Sequence, residues 1–387
     1  MDQNRNSKLL FAAIAFFWYA QYVYIPYQTT YLTGTGTSAE MIGLILGIYG
    51  FSQLILRLPM GVSADRSDHH KLFIVIGGVV CSAASILRIL MPYGTGFLVA
   101  NLFSGLANST WISFSVLYMS CFPDQPQRAA SQLVLASNIG MLTGFIMSMF
   151  LYPHVGMRVI CGFSACAGTL CAVVSGFIRK GTAKSSDLPV RKLLSVCVGK
   201  RLLFFSFLTL IQQGVQMSTT MSYTSQIIKD LGAGTMTVGL SSVLYMLSAV
   251  FCARFVSTPA FDRIRPQNWM AAVFCIIALY CILVPTVSSL TVICILQILP
   301  GMSTGILFSL LTSEAMKGIP EGKKSTAMGF FQAVYALGIT VFPIISGKIL
   351  AISSMAAAYF FLAAVCMGAA VLAYFQDKCM TKINFLS

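Results

Sequence analysis

The stretch RLPMGVSADRSDHH at positions 57–70 is echoed by RFVSTPAFDRIRP at positions 254–266, in the other half of the chain. Five positions recur at a constant offset of 197 residues (254 − 57 = 197): Arg57, Asp65, Arg66, Pro123 and Asp124 return as Arg254, Asp262, Arg263, Pro320 and Glu321. A constant offset over this length indicates an internal repeat. The chain is therefore predicted to consist of two related halves.

The composition places both halves in a lipid bilayer. Hydrophobic residues make up 57% of the 387 residues, charged residues make up 9%, and the mean hydropathy is +0.81. Soluble domains carry about 25% charged residues. Each apolar run has the ~20 residues that a helix needs to cross the hydrocarbon core. We predict transmembrane helices near 8–33, 40–64, 71–91, 95–120, 129–152, 157–178, 202–228, 235–258, 268–287, 290–314, 325–348 and 354–376.

This pattern predicts an all-α membrane protein whose twelve transmembrane helices form two pseudo-symmetric six-helix bundles. The first bundle spans 1–178, a basic linker spans 179–200, and the second bundle spans 201–387. Repeated helical halves of this kind are typical of secondary transporters, which bind their substrate between the halves.

Lysine and arginine are distributed unevenly over the predicted loops. If the N-terminus is cytoplasmic, 20 of the 25 basic residues lie on the cytoplasmic side and only Arg158, Lys229 and Lys348 lie outside. This bias follows the positive-inside rule and predicts a multi-pass protein of the cell membrane with both termini cytoplasmic. The net charge of +14 then reflects topology and attraction to lipid headgroups. Because the charges are scattered over short loops, we expect no nucleic-acid partner. We also expect the protein to be a monomer.

The twelve cysteines and three histidines do not form a recognisable metal or catalytic pattern. Nine cysteines lie within apolar runs without a Cys-x-x-Cys pair, as small packing residues do. His69, His70 and His154 lie near the predicted membrane edges, without a nucleophile–base set beside them. We therefore expect no metal, no cofactor and no enzyme activity.

The segment GVSADRSDHHK at positions 61–71 follows the second predicted helix. It resembles the signature of the major facilitator superfamily, Gly-x-x-x-Asp-Arg-x-Gly and two basic residues, in the loop between helices two and three. Asp68 stands in place of the second glycine, and the second copy, TPAFDRIR at 258–265, has Thr258 in place of the first. GMRVICGF at 156–163 resembles the family's entry to helix six. The resemblance covers essentially the whole chain and implies solute transport by alternating access.

The resemblance also implies a gate at this loop. Gly61 permits close helix approach, and a carboxylate at position 65 can accept hydrogen bonds from a helix N-terminus of the other half. The expected latch residues are Arg57, Gly61, Asp65 and Arg66, with Arg254, Asp262 and Arg263 in the second copy. A static salt bridge is the alternative.

Polar and aromatic residues at helical spacing predict the substrate cavity. In helix four such residues recur every three or four positions on one face, and a polar face has to avoid lipid. The candidate substrate-binding residues are Trp18, Gln21, Tyr22, Gln28, Tyr49, Gln53, Asn101, Asn108, Trp111, Gln212, Gln216, Thr219, Tyr223, Tyr245, Gln297, Gln332 and Tyr335. For each, hydrogen bonding between helices is the alternative. The absence of fixed charge from this set suits an amphipathic, roughly neutral organic solute.

All eleven acidic residues fall in loops or at helix ends, so no midplane carboxylate is predicted as a proton carrier. Coupling would then use an end-placed group such as Glu40 or Glu314, His154, an ion held by neutral oxygens, or no ion. Arg88 is placed ~25 Å along helix three from Lys71. Snorkelling to the outer headgroups is the favoured interpretation for Arg88, and attraction of an anionic substrate is the alternative.

The predicted function is transport of a small amphipathic solute by alternating access, with export favoured. The alternative is an uptake transporter or uniporter for a sugar or related metabolite. Asn101 stands where proton-coupled drug exporters of the resembled family often carry arginine, and Gly140 and Gly144 lack the following proline. Both departures argue against a drug/proton antiporter.

Overall fold

The computed structural model describes residues 2–66, 69–122, 126–178, 189–256, 258 and 261–376. Every regular element in these ranges is helical, which confirms the predicted fold class. Each of the twelve predicted segments is helical over most of its length. The linker residues 179–188 lie outside the described ranges, so the division of the chain at 179–200 stays a prediction.

The helices are numbered here by the predicted spans that they cover. They are helix one, Asp2–Tyr22 and Ile25–Gly34; helix two, Ala39–Arg66; helix three, His70–Leu90; helix four, Gly94–Ser109 and Trp111–Ser120; helices five and six, within Pro126–Gly176; helix seven, Lys200–Ser218, Thr219–Tyr223 and Thr224–Asp230; helix eight, Thr235–Val256; helix nine, Pro266–Leu283; helix ten, Leu290–Leu296, Ile298–Met302, Ser303–Leu307 and Phe308–Met316; helix eleven, Lys324–Ile352; and helix twelve, Met355–Tyr374. A short helix, Val190–Leu194, precedes helix seven.

Helices five and six are separated by a glycine. Pro126–Gly176 has 51 residues, roughly 75 Å as a single helix, which is more than twice the ~30 Å hydrocarbon core. Gly156 has a φ of 71° and a ψ of −178°, a conformation that glycine adopts without steric cost. The chain therefore leaves the helix at Gly156, and the segment consists of the two helices that were predicted.

Nine helices in the described ranges are long and apolar enough to cross a membrane, or ten if the bent pair Val190–Val198 and Lys200–Asp230 is one span. One of the nine, Gln132–Gly176, contains the break at Gly156. Helix four is not among the nine; it is divided at Thr110 and carries Asn101, Ser104 and Asn108 within its apolar sequence. The membrane character is thus clear, while the count of twelve spans stays a prediction.

The two halves meet along helices two and eleven, which pack closely from one end of the bundle to the other. A Cβ on Gly43 would lie 2.6 Å from the Pro343 carbonyl oxygen, and a Cβ on Gly61 would lie 2.8 Å from that of Ser325. We call the end at which helix one begins the terminal end and the other the opposite end. Gly43 lies near the opposite end and Gly61 near the terminal end. The contact surface between helices two and eleven, which we call the seam, is therefore closed at both ends.

Candidate functional site

A small pocket lies between the two halves. Its volume is about 20 Å³, and it is lined by Gln21, Tyr22, Ile25, Tyr49 and Asn101 from the first half and by Met217 and Met221 from the second. Tyr49 is ten residues from the start of helix two, or ~15 Å along the helix, close to half the hydrocarbon thickness. The volume is that of about one water. An organic solute therefore enters only when the halves separate.

Helices are interrupted at equivalent places in both halves, and the interruptions of helices one and seven contribute residues to the pocket. Helix one is broken between Tyr22 and Ile25, and the same offset of 197 leads to the π-helical segment Thr219–Tyr223 of helix seven (22 + 197 = 219). The break of helix four at Thr110 leads in the same way to the end of the π-helical segment Ser303–Leu307 of helix ten (110 + 197 = 307). Interrupted helices at equivalent places in two repeats mark the binding sites of transporters.

The first-half wall of the pocket is held by hydrogen bonds between helices one to four. Gln21 Nε2 donates to the Ser104 carbonyl oxygen at 2.9 Å, and Asn101 Nδ2 donates to that of Ile45 at 2.9 Å. Asn101 Oδ1 accepts a hydrogen bond from Arg88 Nη2 at 2.8 Å. The two pocket amides are thus fixed in orientation, with Arg88 directly behind one of them.

In the second half, a chain of hydrogen bonds joins helices seven, eight and ten. Gln212 Nε2 donates to Gln216 Oε1 at 3.1 Å, and Gln216 Nε2 donates to the Tyr245 hydroxyl at 2.5 Å. The Tyr245 hydroxyl lies 2.9 Å from Thr304 Oγ1. Gln216 is partly exposed, whereas Gln212 and Tyr245 are each 1% exposed. Gln216 is therefore the most accessible of these three side chains.

Arg57 lies on the seam between the halves. Its Nη1 donates to the Gln332 carbonyl oxygen at 3.4 Å, and its guanidinium lies 4.7 Å from the centre of the Tyr335 ring. The side chain is 2% exposed. Arg57 thus joins helix two to helix eleven, two turns from Tyr49 toward the terminal end.

Tyrosine and threonine side chains close the opposite end of the bundle. The Tyr27 hydroxyl donates to the Thr235 carbonyl oxygen at 2.9 Å, and Thr29 Oγ1 lies 3.0 Å from Ser222 Oγ. Tyr27 and Thr29 belong to the first half, and their partners belong to the second. The pocket is sealed on this side by contacts that have to break if the halves open there.

The structure gathers four of the predicted substrate-binding residues around the pocket: Gln21, Tyr22, Tyr49 and Asn101. Others form contacts near it: Trp18 and Trp111, whose rings are 5.0 Å apart, Gln53, Asn108, Gln212, Gln216 and Tyr245, and Gln332 and Tyr335 beside Arg57. Gln28, Thr219 and Tyr223 are buried in helices one and seven. Gln297 accepts a hydrogen bond from Tyr280 at 3.3 Å inside the second half.

Two of the polar candidates allow the roles of packing and binding to be separated. Asn108 is 3% exposed and donates to Gln53 Oε1 at 3.0 Å, whereas Gln216 is partly exposed. We expect Gln216→Ala to lower affinity for a transported solute several-fold, because a hydrogen bond is worth about 0.5–1.5 kcal/mol. Asn108→Ala should lower the melting temperature and leave the affinity unchanged. Thermal melting with and without solute measures both, and the reverse pattern would contradict this assignment.

Arg88 does not snorkel to the headgroups. It is 1% exposed, and its Nη2 donates to the Tyr24 hydroxyl at 2.8 Å, to Asn101 Oδ1 at 2.8 Å and to Ser104 Oγ at 2.7 Å. The snorkelling prediction was wrong because it considered helix three alone. Helices one and four supply the hydrogen-bond acceptors that make burial of this charge possible.

The remaining coupling and gating candidates lie at the ends of the bundle. Glu40 is exposed at the start of helix two, and Glu314 forms an ion pair with Arg201 of helix seven. Arg254 and Arg263 are exposed. The side chains of Asp65, Arg66 and Asp262 lie outside the described residues, so the latch stays a prediction. Gly61 does make the expected close approach, since a Cβ on it would lie 3.2 Å from the Gly329 Cα.

Ile25, Met217 and Met221 line the pocket but were not predicted. They are apolar, and apolar residues in an apolar helix carry no signal that distinguishes a pocket wall from a lipid-facing surface. The position of Met217 beside Gln216, and of Met221 two residues after Thr219, is a signal that could have indicated them.

Apolar helices in two repeated halves, with a pocket between the halves, define a membrane transporter. A family model described as the Major Facilitator Superfamily matches residues 10–343 and 207–379. The chain belongs to the major facilitator superfamily, as its loop motif indicated.

Two curated relatives and one solved structure show the extent of the similarity. An uncharacterized MFS-type transporter of Methanocaldococcus jannaschii is 22% identical over 371 residues, which cover 91% of this chain and 92% of the relative. The inner membrane transport protein YajR of Escherichia coli is 23% identical over 335 residues, or 83% of this chain and 72% of the relative. The crystal structure of a mutant of the nucleoside transporter NupG has a TM-score of 0.72 and 14% identity, with coverage of 97% of this chain and 99% of that one.

Proposed function

We propose that this protein moves a small amphipathic organic solute across the cell membrane by alternating access. The observation that carries the proposal is the pocket near mid-membrane, which both halves line and to which the interrupted helices one and seven contribute residues. Tyr27 and Thr29 form hydrogen bonds between the halves at the opposite end, and these bonds would break and re-form during a transport cycle. Export remains our favoured direction, with both termini cytoplasmic and the protein acting as a monomer.

Uptake of a sugar or related metabolite is the second candidate. The pocket amides of Gln21 and Asn101, and the amide of Gln216 next to the lining residue Met217, suit hydroxyl groups as well as they suit an amphipathic solute. The structurally similar NupG is described as a nucleoside transporter, and nucleosides carry such hydroxyl groups. The likeness concerns the fold, so this candidate rests on the amides of the pocket.

A thermal-shift screen of the purified protein, followed by solute exchange in proteoliposomes, tests the proposal. Amphipathic solutes should raise the melting temperature and should exchange across the membrane at rates that Gln216→Ala lowers. Sugars that stabilise and exchange while amphipathic compounds do not would favour the uptake candidate. Stabilising solutes that do not exchange in proteoliposomes would contradict transport.

Transport should lack the steep pH dependence of a carrier built around a buried acid, whose pKa desolvation raises. Among described side chains, the carboxylates are Glu40, Asp230 and Glu314, all at helix ends. If protons are coupled, Glu40 or Glu314 is the carrier. Flux into proteoliposomes under an imposed pH gradient, for the wild type, Glu40→Gln and Glu314→Gln, measures this. Gradient-driven accumulation that survives both substitutions would contradict the assignment.

A further inference from the structure

The first half carries two buried guanidinium groups: Arg88 donates to the pocket residue Asn101, and Arg57 lies on the seam two turns from Tyr49. Arg57 is 2% exposed and Arg88 is 1% exposed, so both charges are withdrawn from water. The carboxylates among the described side chains lie at helix ends: Glu40, Asp230 and Glu314. Among the described side chains neither guanidinium has a carboxylate partner, and a buried charge without one is costly and marks function in a membrane.

The hydrogen bonds of the two arginines are incomplete. Arg88 donates hydrogen bonds through Nη2 alone, its guanidinium lies 4.0 Å from the centre of the Tyr24 ring, and its Nε and Nη1 are buried without a hydrogen-bond partner. Arg57 Nη1 has one long bond to Gln332, and its Nε is buried without a partner. Buried donors of a cation are normally satisfied, and an anion satisfies them best. The two arginines therefore have N–H donors that could bind an anion.

The second half shows that packing alone does not require these charges. The cluster of Tyr24, Arg88 and Asn101 joins helices one, three and four. The corresponding helices seven, nine and ten are joined by Thr224, Tyr280 and Gln297, whose hydroxyls and amide are neutral. Arg57 also differs from its equivalent in the repeat: Arg57 is buried, whereas Arg254 is exposed. Neutral side chains are therefore sufficient to join these helices, and the two buried arginine charges are not needed for packing.

We propose that the transported solute carries an anionic group, a carboxylate or a comparable monoanion, beside its apolar body. Arg57 binds this group when the halves separate along the seam, because its guanidinium contacts Gln332 and Tyr335 of helix eleven and its place on helix two is two turns from Tyr49 of the pocket. Arg88 acts through Asn101 and raises the positive potential of the pocket. This inference rests on the proposed function and replaces the roughly neutral solute that the uncharged polar residues predicted.

Charged thiol reagents test the potential of the pocket without knowledge of the solute. Met217→Cys is labelled with 2-sulfonatoethyl methanethiosulfonate, an anion, or with its 2-trimethylammonioethyl counterpart, a cation, and the modified peptide is quantified by mass spectrometry. Ser288→Cys, in the exposed loop between helices nine and ten, gives the reference ratio. The anion-to-cation rate ratio at position 217 should exceed that at 288 by about tenfold, given two buried charges nearby.

Substitutions of Arg57 separate the possible outcomes. Arg57→Gln should lower the ratio several-fold, and Arg57→Lys, which keeps the charge, should retain most of it. Two results in the chains that keep Arg57 would overturn the inference: equal anion-to-cation ratios at positions 217 and 288, or faster reaction of the cation at position 217. These chains do not depend on whether an Arg57 variant folds. A high ratio that Arg57→Gln leaves unchanged would overturn the assignment to Arg57. Failure of both reagents to reach position 217 would contradict the proposed pocket itself.

The solute class has its own readout. Among compounds that stabilise the protein in the thermal-shift screen, carboxylates should stabilise it more than their own amides, and Arg57→Gln should remove the difference. Amides that stabilise as well as the acids would overturn the inference while leaving the proposed transport intact.

Discussion

Gly43→Val and Gly61→Val should drive the protein into opposite states. A Cβ at position 43 would lie 2.6 Å from the Pro343 carbonyl oxygen, and one at position 61 would lie 2.8 Å from that of Ser325. Backbone cannot yield to such contacts as a flexible side chain does, so each valine prevents closure at its own end of the seam. Gly43→Val should open the opposite end and Gly61→Val the terminal end. A penalty of about 1–3 kcal/mol shifts the equilibrium between states roughly 5- to 150-fold.

Distances between labels placed on the two halves, at each end of the bundle, measure this effect. Transport should fall more than tenfold in both variants, because neither completes the cycle. Gly368→Val on helix twelve is the control, since its Cβ would have no atom within 4 Å. Both valines shifting the distances in the same direction, or wild-type transport in either variant, would contradict a seam that opens alternately.

Gly105→Leu should destabilise the first half instead of shifting its state. A Cβ at this position of helix four would overlap Ser52 Oγ and the Tyr49 carbonyl oxygen of helix two, within one half. Helices two and four would have to move apart next to the pocket. We expect a loss of about 3 kcal/mol or more and a fall in apparent melting temperature of roughly 5–10 °C.

The matched control for this variant is Gly162→Leu on helix six, where a Cβ would have no atom within 4 Å. Its melting temperature and expression should remain close to those of the wild type. Equal losses for the two leucines would mean that glycine in these helices matters for reasons other than close packing, and no loss for Gly105→Leu would contradict the packing of helices two and four.

The helices and their repeat could be predicted because their signals are local in the sequence. Apolar runs of membrane length and the constant offset need no knowledge of neighbouring helices. The same offset relates the interruptions at Tyr22 and Thr219, which were not predicted. A break that consists of a few altered dihedral angles, as in the π-helical segment, leaves no distinct residue pattern in Thr219–Tyr223.

The pocket was predicted in part, because polarity indicates an inward face and not the depth of a side chain. Gln21 and Asn101 line the pocket as expected, whereas Gln297 bonds to Tyr280 inside its own half. Arg88 was placed wrongly since its acceptors, Tyr24 and Ser104, come from other helices. Contacts between helices therefore decide what helical spacing alone leaves open.

Two-sided access to the pocket tests the central claim most directly. Met221→Cys, in the pocket wall contributed by helix seven, is exposed to a membrane-impermeant thiol reagent in right-side-out vesicles and, separately, in inside-out vesicles. Peptide mass spectrometry distinguishes this cysteine from the native ones. Alternating access predicts that position 221 is labelled from both sides, with Gly43→Val and Gly61→Val each abolishing labelling from one side. Labelling from one side only in the otherwise wild-type chain, or from neither, would contradict the account.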